Sequence, residues 1–132
     1  MIDHVFTRLG SQFREGAILH CKFVTAAGPV FAAKSSRAGS FHKRVSLVKD
    51  TSTGFLKLTL DGGAREIAVL AADHVNLANP TDATLFLDLK QYAAIDEGNG
   101  IVKFKSITRA NPQAFADAQT TDEIHITLYV AK

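Results

Sequence analysis

Glu123-Ile124-His125-Ile126-Thr127-Leu128-Tyr129-Val130, together with the earlier Ile101-Val102-Lys103-Phe104-Lys105-Ser106-Ile107, decides the fold class. Both runs alternate apolar and polar residues with a period of two, the pattern of a strand that buries one face. In the later run Ile124, Ile126, Leu128 and Val130 fall on the core side, and His125, Thr127 and Tyr129 on the opposite side.

Working outward, the same pattern predicts strands over residues 17–25, 30–33, 45–49, 55–60, 66–70 and 83–89. Leu56, Leu58 and Leu60 share one face of the cleanest of these. Turn chemistry separates them at Ala26-Ala27-Gly28-Pro29, Asp50-Thr51-Ser52-Thr53-Gly54, Asp61-Gly62-Gly63, Asn79-Pro80-Thr81-Asp82 and Asp96-Glu97-Gly98-Asn99-Gly100. Residues 34–44 are small, polar and basic and read as an exposed loop; residues 111–118 read as one helical turn with Pro112 near its start. Seven or eight short strands without sustained helical periodicity predict an all-β fold, an antiparallel β-sandwich or a jelly-roll-like barrel. One domain spans residues 1–132, with residues 1–14 as an N-terminal arm.

At 132 residues the chain can bury a core without disulfides or a metal, and 46% hydrophobic content with nine Phe and no Trp is ordinary for a folded domain. No long charge-free apolar run is present, so no membrane partner is expected. Met1-Ile2-Asp3-His4-Val5-Phe6-Thr7-Arg8 has no secretory signal pattern, so synthesis and retention in a cytoplasm are expected. The formal charge of +2 is divided unevenly. Residues 1–66 hold ten basic and five acidic side chains, a net of +5, and residues 67–132 hold five and eight, a net of −3. Such polarity suits association with a charged partner, although a solvated surface is the simpler reading.

The constellations that carry catalysis are missing from the pattern. His4, His20, His42, His74 and His125 are scattered without metal-ligand spacing. His20 and Cys21 are neighbours on a strand, which points them to opposite faces, so Cys21 reads as a packing residue. Asp96 and Glu97 belong to a turn, and the Gly62-Gly63 and Gly98-Asn99-Gly100 runs join strands to strands instead of opening a helix over a phosphate. No enzyme activity, cofactor or metal is expected. Lys34, Arg37, His42, Lys43 and Arg44 cluster near Phe41, yet low net charge and the lack of interleaved aromatics there favour a solvated loop over nucleic-acid binding.

The block Asp50-Thr51-Ser52-Thr53-Gly54-Phe55-Leu56-Lys57-Leu58-Thr59-Leu60, with residues 110–117 and the terminal Ile124-His125-Ile126 strand, resembles small virion proteins of tailed bacteriophages. The pattern is similar to that of head decoration or cement proteins and covers about half of the chain. The resemblance implies a non-enzymatic protein of the capsid surface, made in the host cytoplasm. Its partners would be the major capsid protein and copies of itself, as a homotrimer. The candidate contacts are then Phe6 and Arg8 in the arm, Arg37, Lys43 and Arg44 in the basic loop, and Arg109 and Phe115 in the last loop. In the alternative, the chain is a receptor- or carbohydrate-binding sandwich of a phage tail or fibre, for which the lack of Trp leaves Tyr92 and Tyr129 as the tyrosines available for stacking.

Overall fold

Eight strands form among the residues that the computed structural model describes, namely 16–25, 31–36, 45–76, 86–110, 112–119 and 121–131. They are β1 (Gly16–Thr25), β2 (Phe31–Ser36), β3 (Val45–Lys49), β4 (Phe55–Leu60), β5 (Glu66–Val75), β6 (Leu87–Gln91), β7 (Ile101–Thr108) and β8 (Glu123–Ala131). Two four-stranded sheets result, sheet I in the order β2-β1-β8-β5 and sheet II in the order β3-β4-β7-β6. All pairings are antiparallel, and each sheet keeps two edges, so the fold is a sandwich and not a closed barrel.

Alternation explains the stacking of the sheets. In β4, β7 and β8 every second residue is buried, because each strand turns one face to the opposite sheet and the other outward. Leu19, Cys21 and Phe23 from β1 meet Ile124, Ile126, Leu128 and Val130 from β8, and sheet II contributes Leu56, Leu58, Leu60, Val102 and Phe104 to the same core. The central strands β7 and β8 are each paired on both sides.

Several boundaries differ from the sequence reading for a tertiary reason. Lys34, Ser35 and Ser36 belong to β2 and not to a loop, since Ser35 and Ser36 pair with Lys22 and Cys21 of β1. Beyond residue 70, where the sequence leaves open a continued strand or an irregular connection over 71–79, β5 runs on through Val75 because β8 offers backbone partners along its whole length. Residues 112–119 contain no helical turn. Thr108 N–H donates to Ala114 O (2.9 Å) and Ala116 N–H to Ser106 O (3.2 Å), and Phe115 bridges to Ile107. The backbone groups that a helix would have satisfied internally are satisfied by β7 instead. The predicted arm of residues 1–14, the turn at 26–29 and residues 37–44 lie outside the described residues.

The Asp61-Gly62-Gly63 and Asp96-to-Gly100 turns interlock at one end of the sandwich. Leu60 N–H donates to Gly100 O (2.7 Å), and Ala64 N–H to Glu97 O (2.8 Å). Gly100 has φ +69°, and a Cβ there would collide with the Leu60 carbonyl. Gly98 has no such neighbour, its nearest contact being Asp96 Oδ1 at 4.0 Å. Gly100→Ala is expected to cost on the order of 3 kcal/mol, and Gly98→Ala well under that, when urea midpoints are compared. Equal midpoints for the two variants would refute the interlock.

Candidate functional site

The two outer faces of the sandwich differ in chemistry. On sheet I, Ile18, His20 and Lys22 of β1 stand beside Tyr129, Thr127 and His125 of β8 through the paired register. β5 adds Ala68 and Asp73, and a bulge between Val69 and Ala71 leaves Leu70 on the same side. Ile18 is 62% and Leu70 55% exposed, the two most exposed large apolar residues among those described.

Part of the charge on this face is neutralised from within, whereas Asp73 is exposed without an ion pair among the described residues. Glu123 accepts from His125 Nε2 at 3.1 Å and from Lys22 Nζ at 3.3 Å, and His20 Nδ1 shares a 2.9 Å hydrogen bond with Thr127 Oγ1. The His20 and His125 rings meet edge to face with centroids 6.2 Å apart. The His125 hydrogen bond, assisted by Lys22, holds the Glu123 carboxyl below its ordinary value. A depressed carboxyl pKa adds stability above the ordinary carboxylate range, and that increment is lost as pH falls through the depressed value.

Sheet II presents cations and aromatics. Lys57 of β4 lies directly opposite Lys103 of β7, and Lys105 of β7 directly opposite Lys90 of β6. Like charges facing each other across strands destabilise a sheet. Lys103 has Asp50 at 3.6 Å, whereas Lys57, Lys90 and Lys105 have no carboxylate within 4.0 Å among the described residues. Phe55 packs edge to face on Tyr92 (5.2 Å) and at a tilt on Phe115 (5.0 Å), and Tyr92 Oη donates to Asp50 Oδ2 at 3.4 Å.

Segment 109–122 positions Phe115. β4 begins at Phe55, and just before it the bridge from Phe115 to Ile107 takes over the lane beside β7. Asp117 fastens this extension, accepting from Gly54 N–H (2.8 Å) and Lys49 Nζ (3.1 Å). Gly54 has φ +81°, and a Cβ there would stand 2.9 Å from that of Phe115, so the approach requires glycine. Phe115 is 50% exposed and borders a cleft of ≈ 230 Å³ lined with Ile107, Gln113 and Ala114. Further along, Ala118 enters the core, so this part of the segment is built into the fold.

A buried polar pair secures the end of this segment. Leu87 N–H donates to His74 Nδ1 (3.3 Å), which leaves the proton on Nε2 to be donated to Asp122 Oδ2 (2.7 Å). Both side chains are wholly buried. His74 therefore reads as a brace between β5, β6 and β8. Cys21 is buried in the core, and burial pushes its thiol up to about 11, while His20 stands on the other face of β1. The thiolate needed for a nucleophile is thus disfavoured at neutral pH.

Of the sequence-predicted contacts, Arg109 and Phe115 sit near the cleft end of sheet II, where Arg109 Nε donates to Asp88 Oδ1 at 2.7 Å. Phe6, Arg8, Arg37, Lys43 and Arg44 lie outside the described residues. Sequence reasoning missed Ile18, Leu70 and the lysine set. Strand alternation already placed Ile18 out of phase with Leu19, Cys21 and Phe23, but the bulge at Leu70 has no comparable sequence signal. No protein-family model, no curated protein and no solved structure matches this chain. What the fold and faces define is an all-β antiparallel sandwich whose outer faces differ in charge, with facing lysines on sheet II and a Lys22–Glu123–His125 cluster on sheet I.

In a His125→Ala variant the Glu123 pKa is expected to rise towards its ordinary value while staying somewhat depressed by Lys22. Carboxyl ¹³C titration by NMR measures it, and an unmoved pKa would show that the imidazole is not the main cause.

Proposed function

We propose that this chain is a non-enzymatic virion structural protein of bacteriophage type that decorates or cements a capsid. It associates with copies of itself, as a trimer, and with the major capsid protein. The observation that carries this reading is the outer face of sheet I, where Ile18 and Leu70 stay in solvent around Tyr129 while Lys22, Glu123 and His125 satisfy one another. Exposed apolar side chains beside paired charges suit a protein interface, because docking over Ile18, Tyr129 and Leu70 removes apolar area from water where Lys22 and Glu123 already compensate each other. The phage-like residue pattern supplies the identity of the particle.

The direct test is mass spectrometry of purified particles. Recovery of the chain in stoichiometric amount is expected, and its absence from particles would end the reading. Ile18→Asp and Leu70→Asp are expected to abolish self-association in light scattering and to strip the protein from heads. Each should cost no more than about 1 kcal/mol of stability, since both positions face solvent.

A second reading, a receptor- or carbohydrate-binding sandwich of a tail or fibre, has one observation in its favour. The exposed Phe115 lines the cleft together with Gln113, a ring and an amide that would stack a sugar and hydrogen-bond its hydroxyls. A specific glycan-array signal that Phe115→Ala removes would place this reading first; a blank array eliminates it.

A further inference from the structure

We propose that the outer face of sheet II binds single-stranded nucleic acid, with phosphates on Lys57, Lys90, Lys103 and Lys105 and bases on the band formed by Tyr92, Phe55 and Phe115. This goes beyond particle docking and does not depend on it, since docking was assigned to the opposite sheet.

The arrangement follows from the register. Lys103 and Lys105 point outward from the central strand β7, roughly 7 Å apart along it. Lys57 and Lys90 extend the row across the neighbouring strands, each about 5 Å from its partner lysine. The cations therefore form two facing pairs in successive rows, Lys57 with Lys103 and Lys105 with Lys90. Tyr92 N–H donates to Lys103 O (3.3 Å), which aligns Tyr92 with Lys103 on one flank of β7. Phe55 aligns with Lys105 on the other flank, so the contact between the Tyr92 and Phe55 rings crosses β7. Phe115 continues the lane of Phe55. The result is an aromatic band with lysines on both sides, and the Tyr92 and Phe115 rings remain 37% and 50% exposed.

Asp50 offsets Lys103 alone of the four, at 3.6 Å, so the facing Lys90 and Lys105 and the Lys57 beside Lys103 are an unfavourable local arrangement that an anionic partner would relieve. An acidic protein surface would pair with the lysines and bury the rings as plain apolar area, without using their π-faces or the spacing of the cations. A single strand uses both, because its phosphates repeat regularly and every base offers a π-face to stack. Net charge gave no hint of this, since the lysines come from three separate segments and are diluted by carboxylates elsewhere in the chain.

The test is fluorescence anisotropy with a fluorescein-labelled oligothymidylate of about 12 nucleotides, matching the site size of a small β-domain. Binding that weakens linearly in log–log salt plots is expected. A Lys57→Ala/Lys105→Ala double variant should lose at least tenfold in affinity and reduce the salt slope by about 1.4, or about 0.7 for each lysine. Tyr92→Ala and Phe115→Ala should each lose about fivefold or more. Lys22→Ala on sheet I should bind as the parent chain does. Lys105→Glu serves as the folding control. It turns a repulsive pair with Lys90 into an attractive one, so its melting temperature should rise while binding is lost. No binding at low salt would overturn the proposal. So would equal affinity for labelled polyglutamate combined with indifference to the Tyr92 and Phe115 substitutions, which would assign the face to an acidic protein.

Discussion

Two inner faces that have only each other to bury set the terms for this chain. Each sheet is apolar on one side, and the sandwich is the arrangement that removes both sides from water together. Each fully buried Leu, Ile or Phe contributes about 1.5–3 kcal/mol relative to exposure. A surface pair such as Lys22–Glu123, with side chains 31% and 19% exposed, contributes about 0.2–1 kcal/mol at most. Burial therefore sets which residues face inward, and ion pairs adjust the outside.

The connection from β7 to β8 must cross from one sheet to the other and still satisfy its backbone groups. Two carboxylates organise the crossing. Asp117 ties it to Gly54 and Lys49 of the β3–β4 hairpin, and Asp122 ties it to His74 and the Gln119 N–H at the buried end. Between them Thr121 adopts φ 74°, a left-handed conformation that a β-branched residue takes at a cost of about 1–3 kcal/mol. Thr121 N–H donates to Thr25 O (2.8 Å) and Thr25 N–H to Asp122 O (2.9 Å), and these bonds hold it there.

With the core fixed, the outer faces are free to differ, and they do. Sheet I turns out Ile18 and Leu70 beside the paired Lys22 and Glu123, whereas sheet II turns out four lysines around an aromatic band, of which Lys103 alone has a carboxylate within 4.0 Å among the described residues. A sandwich of this kind can meet two unlike partners at once, because its faces point in opposite directions and share no side chains.

Much of the fold was legible in the sequence. Alternation alone located β4, β7 and β8 and their buried sides, since a strand's period of two is a local property of the backbone. Gly54, Gly63 and Gly100 marked turns for the same reason: their positive φ is a demand of the local chain. Alternation likewise separated Cys21 from His20. Partner choice was not legible. That β8 lies between β1 and β5, that Phe115 replaces a helical turn with a bridge to Ile107, and that lysines 57, 90, 103 and 105 share one face are decided by which strands pair. Pairing joins residues far apart in the chain, so no window of sequence contains it. The sequence by itself determined which side of each strand is buried, and the tertiary structure alone decided what the exposed sides assemble into.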